Sequence, residues 1–340
     1  MAYEYQTREE YSQLASILRK GGTRALVCFC VDVSQSMTYI LAGQEHKIDQ
    51  RRSGAASVVE GANAHIVVPK PGYTLENRID KLNSILVEML QRMKRNANLA
   101  DGVVISVITF ANEADMKYSF LDVALIDPKQ YGKMTIARRA DRTNAGQALQ
   151  AALQQIEYTQ KLFDDADVDL RTPTLVFLSD GEPSDTSAYN ADVVTLDSGE
   201  VRNDANSIAT EIRRRVNGRQ LNVVPVMIGE GNAMADSFMR SLTPERTYRR
   251  MNTERDFEEV FDMIEQTLAR YCVIPVADQN AHIEESVHVE SRVAESVTNT
   301  NSTGSLVVSD DELASLFAGG PMDDLFGGSG GAPSDDDLFL

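Results

Sequence analysis

The sequence predicts an α/β fold, a doubly wound and mainly parallel sheet with helices on both faces. Two observations lead there. Runs dense in Val, Ile, Leu and Phe recur at 24–31, 103–110, 174–178 and 221–228 without polar alternation, the pattern of strands buried on both faces. Between them lie segments whose apolar residues repeat with helical spacing, such as Ile79, Leu82, Leu86, Met89, Leu90 and Met93. Strand–helix alternation of this kind closes right-handed crossovers onto a parallel sheet. With 340 residues, 42% of them hydrophobic, the chain can bury one large core and still carry an appendage.

In chain order, residues 7–20 read as an accessory helix with Tyr11, Leu14, Ile17 and Leu18 on one stripe. A strand at 24–31 follows. Residues 41–74 lack a clear period and contain Gly43, Gly54, Gly61, Pro69, Pro71 and Gly72, so they read as an insertion with a short hairpin around 64–68. A helix over 76–95 leads to the strand at 103–110 and to a weaker edge strand near 117–123. Ala148, Leu149, Ala152, Leu153 and Ile156 line the core face of a helix over 144–162. After the strand at 174–178 a second insertion, 184–202, has no assignable element. A helix at 203–216 precedes the strand at 221–228, where Pro225 argues for an outer position or a bulge, because proline cannot donate to a ladder. A short helix near 233–242, a strand near 246–250 and a helix at 254–271 complete a domain spanning 23–272.

Beyond Ile274-Pro275 the composition shifts to Gly, Ser, Asn, Thr and acidic residues. Residues 273–340 hold 13 Asp or Glu against one arginine, a net of −12 out of the chain's formal −18. Such a segment buries too little apolar surface to offset its ordering entropy and is expected to be disordered. Its acidity argues against nucleic acid as its partner and favours a basic surface. Acidic–Leu–Phe strings recur in it, ending at Leu316-Phe317, Leu325-Phe326 and Leu338-Phe339. They read as linear motifs for a basic and apolar protein surface, or for the chain's own folded domain.

Five oxygen-bearing residues mark a candidate metal site: Asp32, Ser34, Ser36, Thr143 and Asp180. The first three follow the apolar run 25–30, Asp180 follows the run 175–178, and Thr143 opens a helix pattern. All are hard donors, suited to a small divalent cation at the rim of an α/β sheet. Asp-x-Ser-x-Ser, a later Thr and a later Asp-Gly together resemble the metal-ion-dependent adhesion site (MIDAS) of von Willebrand factor A (VWA) domains. That resemblance covers residues 20–272 and implies the same Rossmann-like fold. It also implies Mg²⁺, with Mn²⁺ as an alternative, and an open position that takes an Asp or Glu carboxylate from a protein partner. Cys28-Phe29-Cys30-Val31-Asp32, Val107-Ile108-Thr109-Phe110 and Asp180-Gly181-Glu182-Pro183 are similar to the bacterial tellurium-resistance TerY-type members. This implies a scaffold or adaptor in a stress-response or defence system, with protein kinase and phosphatase partners.

Other functions find less support. Haloacid-dehalogenase-like phosphatases need an Asp where Ser34 stands, no phosphate-binding loop is present, and Gly229-Glu230-Gly231 lacks a third glycine. The histidines His46, His65, His282 and His288 lie in the first insertion and the tail. The expectation is therefore a non-enzyme, with a metal-dependent hydrolase as one alternative. A ubiquitin-receptor-like VWA protein is the other, from the string 312–316. Cys28, Cys30 and Cys272 show no metal spacing, and the first two share one strand face as reduced core thiols. No run is long enough for a membrane span and the N-terminus lacks signal-peptide features, so a cytoplasmic location is expected. If the tail supplies the carboxylate to its own or a neighbouring domain, deleting 300–340 will change Mg²⁺-dependent self-association. Identical sedimentation of both forms, with and without EDTA, would remove that idea.

Overall fold

The computed structural model describes residues 23–57, 62–131, 133–138, 140–187 and 191–273, together with Ala15. The expected helix at 7–20 (Ala15 apart) and the acidic tail with its Leu–Phe strings lie outside the described residues.

The apolar runs form a six-stranded sheet. Strands β1 (Ala25–Asp32), β2 (Val103–Phe110), β3 (Ala114–Asp122), β4 (Thr174–Ser179), β7 (Asn222–Ile228) and β8 (Arg249–Met251) lie in the order β3-β2-β1-β4-β7-β8. Every pairing is parallel except β2 with β3. β1 shows why the run had to be unbroken. Val27, Phe29 and Val31 pack on one face, Leu26, Cys28 and Cys30 on the other, and all eight residues of the strand are buried.

Among the described residues, six helices of six or more residues cover the two faces. α1 (Arg78–Arg95), α2 (Ala97–Gly102) and α6 (Glu254–Val273) pack on the side of Phe29, where Phe29 stacks on Phe261 with ring centroids 6.4 Å apart. α3 (Ala145–Asp165), α4 (Ala205–Asn217) and α5 (Ala233–Ser241) cover the other side, around Phe110, Phe177 and Phe238. Asn77, Asp204 and Asn232 each accept a backbone N–H in the first turn of α1, α4 and α5, as polar caps do. The face chosen follows the direction of travel. From β1 the chain moves outward to β2 and β3, then returns to β4 on the opposite side of β1, so the topology reverses between β1 and β4. Ligands of open α/β sheets sit outside the strand C-termini at that reversal.

Three expectations are corrected. Residues 64–68 are no hairpin: 64–66 form a turn, and the insertion is held by isolated bridges Tyr39↔Asn63, Ile40↔Asn77 and Ile48↔Pro69 over a small core of Ile48, Ala62 and Val67. The unassigned stretch 184–202 contains a hairpin, β5 (Val193–Leu196) and β6 (Gly199–Arg202), in which Leu196 alone is fully buried. With so little apolar alternation, its sequence carries no strand period. Pro225 is neither on an outer strand nor at a bulge. It faces Phe177 of β4 in an unbroken register, and β8 covers only Val226–Ile228 on the other side, so the proline stands just before the stretch that β8 pairs.

Gly146, in the first turn of α3, fixes how closely that helix approaches the segment leading into α4. A Cβ there would lie 2.5 Å from the backbone N of Ala205. Gly146→Ala is expected to cost about 1–3 kcal/mol, as overpacking against backbone does, read as a lower urea midpoint. An unchanged midpoint would show that this approach is not tight.

Candidate metal centre

Two adjacent strands end at the reversal point and deliver the two carboxylates. Val31 of β1 pairs with Leu178 of β4, so Asp32 and Ser179 come next in register, and the Ser179 hydroxyl donates to Asp32 Oδ2 at 2.6 Å. Asp180 follows one residue later. Past Asp32 the chain turns: the Ser34 N–H donates back to Asp32 Oδ1 at 2.8 Å, and 35–38 form a single 3-10 turn. That turn places Ser34 Oγ and Ser36 Oγ 3.0 Å apart, and the Ser36 hydroxyl donates to Asp180 Oδ1 at 2.7 Å. Asp32, Ser34, Ser36 and Asp180 thus form one continuous oxygen cluster.

Thr143 arrives from a third segment. Its N–H donates to Ser184 Oγ at 3.0 Å and its carbonyl accepts from the Ser184 N–H at 2.9 Å. Its Oγ1 lies 3.2 Å from where a Cβ on Gly181 would stand, next to Asp180. Asp185 completes this latch. Its Oδ2 accepts the N–H of Gly146 at 2.8 Å and of Gln147 at 3.3 Å, taking over the cap of α3 that the Asn144 side chain does not provide. Burial pushes the Asp185 carboxyl up to about 6, against these N–H bonds.

All five residues picked out in the sequence therefore meet at one end of the sheet. Ser179, Ser184, Asp185 and Arg78 were not foreseen. Arg78 Nη1 donates to Asp180 Oδ2 at 2.6 Å across 102 positions, a pairing that no local sequence pattern signals. The Ser179 hydroxyl had a visible signal, a polar residue ending an apolar strand beside an Asp.

The electrostatics are those of two acids held together out of water. Burial, and next the negative charge of Asp180, push the Asp32 carboxyl up to about 7, against the hydrogen bonds of Ser179 and Ser34. Burial also raises Asp180, while the charge of Arg78 pulls it down. Among the described residues no group of three His, Cys, Asp or Glu is assembled, so the donors at this site are two carboxylates and three hydroxyls. That set is hard, anionic and compact, and fits a small divalent cation better than a thiophilic one. No helix among the described residues is long and apolar enough to cross a membrane.

No family model and no curated protein matches the chain. Among solved structures it is similar to proximal thread matrix protein 1 from the mussel byssus, at 13% identity and a TM-score of 0.42, over 73% of this chain and 46% of that one. A further structure of that protein has a zinc-occupied MIDAS motif. It is also similar to the PilB minor pilin from Streptococcus sanguinis, at 15% identity and a TM-score of 0.46, over 74% of this chain and 63% of that one. BatB from Bacteroides thetaiotaomicron matches at 12% identity and a TM-score of 0.40, over 72% of this chain and 99% of its own. The chain thus spans about half the length of the mussel protein and two thirds or less of the pilin.

The carboxylate pair makes stability depend on pH. Unfolded Asp32 titrates near 3.8 and folded Asp32 near 7, so between those values the folded state holds the extra proton. Its contribution is fully present below the lower value and is lost as pH rises through the upper one. In a chelator, the unfolding temperature should fall between about pH 5 and 7.5, and Asp32→Asn should reduce that slope, most above about pH 6, where Asp185 adds little. A slope unchanged in the variant would assign it to another group.

Proposed function

We propose that this chain is a VWA-type, metal-dependent protein-interaction module. The observation that supports this reading most is the convergence of two buried carboxylates and three hydroxyls from three segments at the reversal point of the sheet. Asp32, Ser34, Ser36, Thr143 and Asp180 would hold Mg²⁺, or Mn²⁺ in its place. Once bound, a hard divalent cation supplies electrostatic attraction for an Asp or Glu carboxylate of a partner protein. The chain's own residues do the rest. Ser179 and the Ser34 N–H fix the Asp32 carboxylate, Ser36 and Arg78 fix Asp180, and the Ser184 latch fixes Thr143.

Neutral hydroxyls are central to this role. Three of five donors carry no charge, so the two carboxylates would just balance a divalent cation, and with the Arg78 guanidinium paired to Asp180 the loaded site would keep its pull on an outside acid. We read the protein as a scaffold or adaptor rather than an enzyme. The hydroxyl held on Asp32 Oδ2 belongs to Ser179, which is only 1% exposed and so is screened from any substrate. The TerY-like flanking motifs support placement in a bacterial stress-response or tellurium-resistance system with kinase and phosphatase partners. The insertion carrying Ile66 and Tyr73, both exposed, lies between the metal loop and α1, where it would help choose the partner.

Calorimetry with MgCl₂ and MnCl₂ should show uptake by the wild type and a loss of at least about tenfold in affinity for Ser34→Ala/Ser36→Ala, as when two ligands are removed. Affinity capture with and without Mg²⁺ should lose the same bands in that variant. Absence of uptake by the wild type would overturn the reading. Phosphatase turnover abolished by Asp32→Asn would replace it with a hydrolase, and ubiquitin binding by a tail peptide would replace it with a ubiquitin receptor.

A further inference from the structure

Arg78 is a cation built into the wall of an anionic site. It is the first residue of α1, with Asn77 as the cap. Its N–H donates to the Tyr39 carbonyl at 3.0 Å, beside the bridge Ile40↔Asn77 that closes the base of the 41–74 insertion. The guanidinium then lies in a slot made by three other elements. Nη1 pairs with Asp180 Oδ2 at 2.6 Å. Cζ sits 5.4 Å from the centroid of the Tyr39 ring, within cation–π range. On the remaining side is Gly229, just past β7, whose φ is +82°. A Cβ there would stand 2.6 Å from Arg78 Cζ, so any other residue would evict the guanidinium. The side chains of Arg78 and Asp180 are 11% and 0% exposed, which leaves little water to screen the pair.

The two oxygens of Asp180 are divided. Oδ1 stays with Ser36, inside the cluster, while Oδ2 belongs to Arg78. Arg78 can therefore keep its place when Oδ1 turns to a cation. With both acids ionised and Arg78 charged, the site carries a net −1, and a divalent ion brings it to +1. Without Arg78 those values would be −2 and zero.

We infer that Arg78 is a specificity-determining residue: it opposes cation uptake and, through the same charge, leaves the loaded site positive toward an anionic partner group. This rests on the metal reading above. Two charges of one sign in a shared, poorly hydrated site repel by an amount worth on the order of tenfold in affinity. The divided carboxylate makes that repulsion permanent instead of a lock that must open.

The test uses the full chain stripped with EDTA and titrated calorimetrically with MgCl₂ and MnCl₂. Arg78→Gln should bind both ions more tightly, on the order of tenfold, and Arg78→Lys should stay within about twofold of wild type. At saturating Mn²⁺, sodium acetate followed by water-proton relaxation should bind more weakly to Arg78→Gln than to wild type. A gain in metal affinity is not what a misfolded variant would produce, and thermal melts check that each variant folds. Equal affinities in wild type and Arg78→Gln would overturn this inference alone. Weaker binding by Arg78→Gln would overturn it too, by showing that Arg78 merely holds Asp180 in place. No uptake by any of the three proteins would bring down the metal reading with it.

Discussion

Asp32 and Asp180 are two acids at the ends of neighbouring interior strands, held out of water. Burying like charges side by side is costly unless donors and cations surround them. The architecture around the pair supplies both. Ser179 and the Ser34 amide serve Asp32, while Ser36 and Arg78 serve Asp180. The pair is kept close because the paired strands β1 and β4 end beside each other. That register is fixed in turn by apolar residues that alternate between two packed faces. The site is thus a consequence of the core.

The third contributor is fixed differently. Thr143 is not on a strand, and no ladder positions it. The turn at 184–185 holds it instead, with Ser184 bonded to its backbone at both ends and Asp185 capping the helix that it precedes. Gly146 lets that helix close against the backbone of 203–205. Residues 184–185 and 203–205 therefore belong to the site although they bring no donor to it.

Much of this was legible in the sequence, for a physical reason. Strands buried on both faces must be apolar throughout, so β1, β2, β4 and most of β7 stand out as runs, and Asp32 and Asp180 stand out as the charges that end them. The helices show in their apolar stripes. What escaped detection was whatever depends on contacts between distant positions or lacks a buried face. β5 and β6 bury a single Leu and carry no period. Residues 64–68 look extended yet are held by isolated bridges. Pro225 was read by a rule for edge strands, but an interior strand paired over only part of one side satisfies that rule as well. Arg78 resembles any first-turn helix residue until the fold brings Asp180 to it.

The two margins of the sheet bear on how copies of this chain can gather. On one margin β3 runs against its neighbour and shows the exposed charges of Asp115 and Lys117. On the other, β8 is only three residues long and carries Arg249 and Arg250, with the Arg250 guanidinium bonded to the Tyr248 hydroxyl. Charged borders, one of them also short, discourage strand-to-strand stacking. Growth of a ladder from copy to copy is thus disfavoured at both of these margins.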